Sequence, residues 1–205
     1  MQGRGKGTAM LNNRQRCGWV PENDTQYLQY HDVEWGVPLR DDLKLFEMLI
    51  LEGQQAGLSW RTILHKRQNF RKAYDHFNPE KIARYDESKI ESIMSDPTII
   101  RNKLKINSVI QNAKSFLAVK MEFGTFNSYI WKFVGDKPVL NRWKNHDEVP
   151  ARTIISDEMS RDLSERGFKF TGSTICYSFM QAVGMVNDHV TSCFRHEEIS
   201  RLYDH

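Results

Sequence analysis

Cysteine is scarce in this chain: Cys17, Cys176 and Cys193 are the three among 205 residues. An odd, sparse set does not build a disulfide framework, and it fits a reducing compartment in which thiols are free or bound to metal. Long apolar runs are lacking as well. No stretch approaches the ~20 apolar residues of a membrane span, and the N-terminus has no apolar core of a secretory signal. These absences exclude a disulfide-stapled secreted domain and a membrane-spanning protein, and a soluble, cytoplasmic monomer is expected. Nor does one sign of charge dominate. Lysine and arginine total 29 against 26 aspartates and glutamates, a net charge of +3, which permits a polyanionic partner without demanding one.

Alternation of apolar and polar residues over a strand's length is almost absent, whereas apolar residues recur at helical spacing, so the fold class is all-α. The chain is long enough to bury a core as one domain or as two lobes sharing one. Positions 1–15, rich in Gly, Asn and basic residues, read as a disordered leader or expression remnant, 16–195 as a single domain and 196–205 as a C-terminal tail. A helix is expected from an N-cap at Asp41 or Asp42 toward Glu52, with Gly53 inviting an end or a kink. Further helices are expected from Ser59 to Phe70, from Ser88 with Glu91 completing a capping box, through Ile106 to Phe116, and through Phe126 to Phe133. Gly135 to Pro150 reads as a polar loop. Ser156 is expected to cap a polar helix that Gly167 ends, Thr174 to Val183 to form a central buried helix, and Asn187 to cap a last helix carrying His189 and Cys193.

Three groups of residues carry chemistry. On a helix, His189 and Cys193 at i and i+4 would project from one face, a usual way to present two zinc ligands, and Cys17 with His31 could complete a tetrahedral set. Neither pair has the tight spacing of a zinc finger, so a buried cysteine beside a capping histidine is the alternative. The second group is the aromatic and acidic concentration from Trp19 to Trp60, with Tyr27, Tyr30, Trp35 and Glu52. A pocket for a flat nucleobase needs such faces and a few polar groups to read its edge, although aromatic stripes also make cores. The third is the segment SDPTIIRNKLKI, in which two helices meet at a short turn followed by Arg101, Lys103 and Lys105. A hairpin of this kind aims backbone N–H groups and basic side chains at a phosphate; a solvated basic face is the competing reading.

Taken together, RCGWV at Arg16, YHDVEWGVP at Tyr30, LFEMLILEGQQAGLSW at Leu45 and RGFKFTGSTICYSFMQAVGMVNDHV at Arg166, with Cys193, resemble the bacterial 3-methyladenine DNA glycosylase I family of the helix-hairpin-helix glycosylase superfamily. The resemblance runs from Arg16 to about Cys193 and implies two helical lobes around a base-binding cleft, with a structural zinc site joining the N- and C-terminal segments. It implies zinc on Cys17, His31, His189 and Cys193, and leaves Cys176 as a core thiol. It implies that Glu52 and Tyr30 contact the edge of 3-methyladenine, that Trp60 and Trp19 wall the pocket with Trp35 and Tyr27 nearby, and that Gly57 and Leu58 push into the duplex where the base leaves.

The chain departs from the wider superfamily at Thr98, which stands where glycine is usual in the hairpin, so the turn is expected to differ locally. A second departure, shared with the family, is that no aspartate occurs between Asp96 and Asp136, so the usual catalytic aspartate is missing. Methylation at N3 makes adenine a cation and already a good leaving group. A carboxylate at Glu52 would favour that cation, and water would attack the sugar without a lyase step. The implied partners are damaged double-stranded DNA and the 3-methyladenine base. A zinc-bearing DNA-binding module that recognises damage without cutting is the alternative.

Overall fold

The computed structural model describes residues 14–202; positions 1–13 of the expected leader and 203–205 of the expected tail lie outside them. The first helix, α1 (Thr25–Gln29), is capped by Asp24, whose carboxylate accepts from the Tyr27 N–H. It widens into a π-helical turn over Tyr30–Glu34 that buries both Tyr30 and His31. Sequence periodicity gives no sign of this wider turn, a form often found at functional sites.

The central helix is α2 (Asp42–Gln55), capped by Asp41 as expected. It is buried over nearly its whole length from Leu45 to Gln54, as a helix surrounded by others must be. Gly53 does not end it. The missing side chain instead admits Phe170, whose Cβ would lie 3.3 Å from a Cβ added there. The stop comes at Gly57, with φ +76, so Glu52 sits inside the last turn.

Ser59 caps α3 (Trp60–Ala73), and the short α4 (Pro79–Ile82) follows. The next helix, α5 (Glu87–Ser95), starts earlier than the Ser88 signal indicates: Asp86 is the cap, and its carboxylate accepts from the Lys89 N–H. Asn102 caps the long α6 (Lys103–Phe123), after which comes α7 (Phe126–Trp131). The expected polar loop holds a two-residue strand, β1 (Val139–Leu140).

Helix α8 (Ile154–Glu165) is capped by Thr153; Ser156 is the third helical residue, and its hydroxyl returns a bond to the Thr153 N–H in a reciprocal capping box. Gly167 follows its end as expected. Helix α9 (Ser173–Ala182) leads to β2 (Val186–Asn187), which pairs in parallel with β1. Asn187 therefore caps no helix: its amide donates to the His196 carbonyl. The last helix, α10 (Phe194–Arg201), begins only after His189 and Cys193, with Cys193 at its N-cap. It runs through the expected boundary at 195, and Ile199 is fully buried.

The described residues are mostly helical. Helix α2 packs on α3, α6, α7 and α9, and Phe46, Phe116 and Phe126 join in a chain of rings 4.8 Å apart. The segment after the π turn is stitched to the end of α9 by Gly36 N–H to the Gln181 carbonyl and Leu39 N–H to the Val183 carbonyl. Trp35 is thereby placed beside α9. No helix among the described residues is long and apolar enough to cross a membrane.

Candidate functional site

Between α2, the π turn, α3 and α9 lies a cavity of about 310 Å³. Trp19, Tyr27, Tyr30, Trp35, Glu52 and Trp60 all line it, so one hollow gathers residues spread over 42 positions of sequence. Trp19 stands edge-on to Trp35 at 4.9 Å and to Tyr27 at 5.7 Å, while Tyr30 tilts against Trp60 at 5.2 Å. These rings give a flat ligand faces to stack on.

Glu52 is 4% exposed, and among the described residues its carboxyl has no hydrogen-bond or ion-pair partner. Desolvation raises its pKa from the ordinary glutamate value to about 8. Burial, with the Glu52 charge second, also pushes the Tyr30 phenol well above its usual value. The Trp60 indole N–H is buried without a partner. An unpartnered carboxyl and an unpartnered N–H facing aromatic walls suit a planar heterocycle with donors and acceptors on its edge.

The rest of the lining comes from Gln55, His146, Val149, Ser178, Gln181 and Asp188, none singled out in the sequence. Asp188 is 2% exposed. Its Oδ1 accepts from Asn141 Nδ2 at 2.7 Å and Trp143 Nε1 at 2.8 Å, and its Oδ2 from the Tyr177 hydroxyl at 2.7 Å and Gln181 Nε2 at 2.8 Å. The available signal was an acidic residue inside the apolar run GMVNDHV.

A larger cavity of about 510 Å³ lies on the other side of Tyr30. Its charged residues are largely matched, with Arg67 paired to Glu34 and Glu47, and Arg71 to Glu47. It offers no aromatic pair.

A smaller hollow lined by Glu52, Gln55, Gly57, Leu58 and Ser178 connects the pocket with the turn after α2. Leu58 is 39% exposed at that turn, and a Cβ at Gly57 would meet nothing within 4 Å. Lys105 belongs here and not to the basic flank of the hairpin. It is 6% exposed, and its Nζ donates to the Gln54 and Ala56 carbonyls at 2.7 and 2.8 Å. The free carbonyls ending α2 draw it inward.

Helices α5 and α6 pack together across the turn that holds Asp96 and Thr98. Thr98 has no positive φ. Its N–H and hydroxyl both donate to Asp96 Oδ1, at 2.8 and 2.6 Å, and its carbonyl accepts from Lys66 Nζ and Asn69 Nδ2. A turn closed by an aspartate side chain needs no glycine. Arg101 and Lys103 are exposed, and Lys103 pairs with Glu87 on α5.

Cys17, His31, His189 and Cys193 meet in a buried cluster whose ligand atoms all lie within 4.8 Å of one another. Cys17 Sγ is 3.5 Å from His189 Nδ1, and Cys193 Sγ is 3.5 Å from His31 Nε2 and 3.6 Å from His189 Nδ1. Bonds of about 2.0–2.3 Å to a tetrahedral ion give edges of this size. Each ring's other nitrogen is also engaged. His31 Nδ1 donates to Asp32, itself held by Arg16, and His189 Nε2 donates to the Trp35 carbonyl. These bonds aim both inner nitrogens at the cluster, which can hold a metal. His189 and Cys193 share no helix: a tight turn, closed by the Cys193 N–H on the Val190 carbonyl, brings them together. The cluster also braces the pocket wall, since Trp19 and Trp35 pack edge-on against His31 and His189.

Residues 19–196 match the profile of the methyladenine glycosylase family. DNA-3-methyladenine glycosylase 1 of Escherichia coli strain K12 is 49% identical over 179 residues, 87% of this chain and 95% of that protein. A crystal structure of 3-methyladenine DNA glycosylase I superposes with a TM-score of 0.86 at 48% identity, covering 88% of this chain and 98% of the other. A structure of the Staphylococcus aureus 3-methyladenine DNA glycosylase I, described as showing the basis of 3-methyladenine recognition, gives 0.82 at 34% identity over 84% and 92% of the two chains.

Proposed function

This chain belongs to the methyladenine glycosylase family, and from that premise we propose that it excises 3-methyladenine from alkylated double-stranded DNA by hydrolysing the N-glycosidic bond, with no lyase step. The observation that carries the reading is the aromatic cavity with the desolvated, unpartnered carboxyl of Glu52 inside it. An extruded base stacks between the Tyr30 and Trp60 side and the Trp19 and Trp35 side, while Glu52 and Tyr30 bind its edge. N3-methylation leaves the base cationic, so it departs without a general acid of ordinary strength. Water then takes the sugar carbon. The cavity lining contains no lysine that could form a Schiff base, consistent with simple hydrolysis.

Gly57 and Leu58, at the mouth beside Glu52, fill the space the base vacates. The four-residue Cys/His cluster takes zinc as a structural ion, since two thiols and two oriented imidazoles leave no open position for water. When bound, the ion cross-links the two ends of the domain and does no chemistry on the base.

Incubating the protein with methylated duplex DNA and separating the supernatant by chromatography tests the reading. Free 3-methyladenine is expected, with intact abasic strands. A folded protein that binds the duplex yet releases no base would instead be a damage-binding module.

The hairpin of the helix-hairpin-helix superfamily grips phosphates in this proposal, with Arg101 and Lys103 alongside. Duplex affinity then falls as salt rises, by a similar factor for unrelated sequences. Arg101→Ala lowers it about threefold to tenfold and flattens the salt slope by about one unit. Fluorescence anisotropy across a salt series reads both, and affinity indifferent to salt would contradict the assignment.

A further inference from the structure

Two carboxylates line the aromatic cavity, and they differ in kind. Glu52 has no partner, and desolvation favours the protonated form of its carboxyl. Asp188 has every acceptor position filled, because each oxygen receives two hydrogen bonds from Asn141, Trp143, Tyr177 and Gln181. All four donors are neutral, and no ion pair among the described residues includes Asp188. The adjacent Cys/His cluster would not offset the charge either, since a divalent ion held by two thiolates and two neutral imidazoles would be neutral overall. The pocket wall thus carries an uncompensated negative charge at 2% exposure, where solvent screens it little.

We propose that Asp188 is a specificity-determining residue whose standing negative charge makes the pocket prefer a cationic base over a neutral base of similar shape. This rests on the excision reading above and deepens it by naming what discriminates the charged lesion. Charge selection of this type acts on binding. As the glycosidic bond breaks, the positive charge passes from base to sugar, so a charge beside the base favours the lesion's entry more than its cleavage. Across roughly 6 Å at an effective dielectric constant of about 20, a unit charge shifts binding by tenfold or more.

Two small ligands separate charge from shape without any catalysis: the permanently cationic 3,9-dimethyladeninium ion and neutral 3-methyladenine, titrated at pH 7.5 by tryptophan fluorescence. Comparing the ratio of the two affinities between proteins cancels their difference in shape. In Asp188→Asn the preference for the cation is expected to fall about tenfold, with binding of 3-methyladenine changed less than threefold. Equal weakening of both ligands would reduce Asp188 to a brace for the 141–143 segment, and an unchanged ratio would place selection elsewhere; either overturns the proposal. Should Asp188→Asn fail to fold, Glu52→Gln decides, because Asp188 is then the one carboxylate left in the lining. A preference above about fivefold in that protein supports the assignment, and its disappearance overturns it. Wild-type protein that binds neither ligand would sink the excision reading itself.

Discussion

Cys193→Ala is expected to purify without metal and to melt roughly 10–20 °C below the wild type. In the zinc proposal, Cys193 supplies one of four bonds to the ion, and its Sγ lies within 3.6 Å of both ligand histidines. Removing it leaves two imidazoles and one thiol buried from solvent. Their unused polar atoms then add to the lost metal-binding energy, which in small zinc domains is a large part of folding energy. A loss of about 5 kcal/mol corresponds to such a shift in a domain of this size. The π turn and the 189–193 turn share no other covalent or ionic tie, so the damage spreads to Trp19 and Trp35 and activity falls with stability. Elemental analysis and calorimetry on the same sample test this. A metal-free, fully folded and active wild-type protein would refute the structural ion.

Glu52→Gln is expected to slow single-turnover release of 3-methyladenine by about tenfold while duplex affinity stays nearly constant. This lies below the roughly 10²–10⁴-fold of ordinary general acid–base catalysis, because the lesion is already cationic and labile. A docked cation favours the ionised form of Glu52, whose proton passes to solvent, and the neutral hydrogen bond becomes a charge-assisted one, which glutamine cannot provide. Stability moves the other way. The native carboxyl titrates near 8 against 4.5 for an ordinary glutamate, so between those values the native state binds more proton than the unfolded chain. The associated stability is present below pH 4.5 and is lost as pH rises through 8. Glutamine does not titrate, so the variant gains on the wild type across that window, by up to about 5 kcal/mol at pH 9. Thermal unfolding from pH 5 to 9 reads the effect. A variant with wild-type excision and a parallel pH profile would show that Glu52 neither binds the base nor bears the desolvation described.

Local signals were legible in the sequence where the partner lies within a few residues. Asp41 and Ser59 cap the helices they precede, because a cap bonds an N–H three positions on. Capping residues compete, however. Asp86 displaces Ser88, and Thr153 displaces Ser156, since serine inside the first turn offers the same hydroxyl. The aromatic residues around Trp19 and Trp60 were visible as a concentration, and the fold gathers them around one cavity. Asp188 was not visible, because its four donors come from two segments that only folding brings together. Lys105 reads as one more basic residue of the hairpin until the end of α2 is placed beside it. The spacing of His189 and Cys193 suggested a helix, whereas a tight turn achieves the same approach. Two-residue strands such as β1 and β2 are too short for any alternation to register.

The cluster joins positions 17 and 31 to positions 189 and 193, spans of 172 and 162 residues between bonded partners. A growing chain emerges from the ribosome N-terminus first, and helices formed from near neighbours fold as they appear. Cys17 and His31 emerge more than 150 residues ahead of His189 and Cys193, and until those follow they offer only half of a four-residue cluster. Two ligands bind an ion far more weakly than four, so in the zinc proposal firm capture waits until residue 193 has emerged. The pocket wall that leans on these histidines is completed at the same moment. A polypeptide truncated before residue 189 therefore carries the residues of α2, α6 and α9 and those of the aromatic pocket, but lacks half of the cluster against which Trp19 and Trp35 pack.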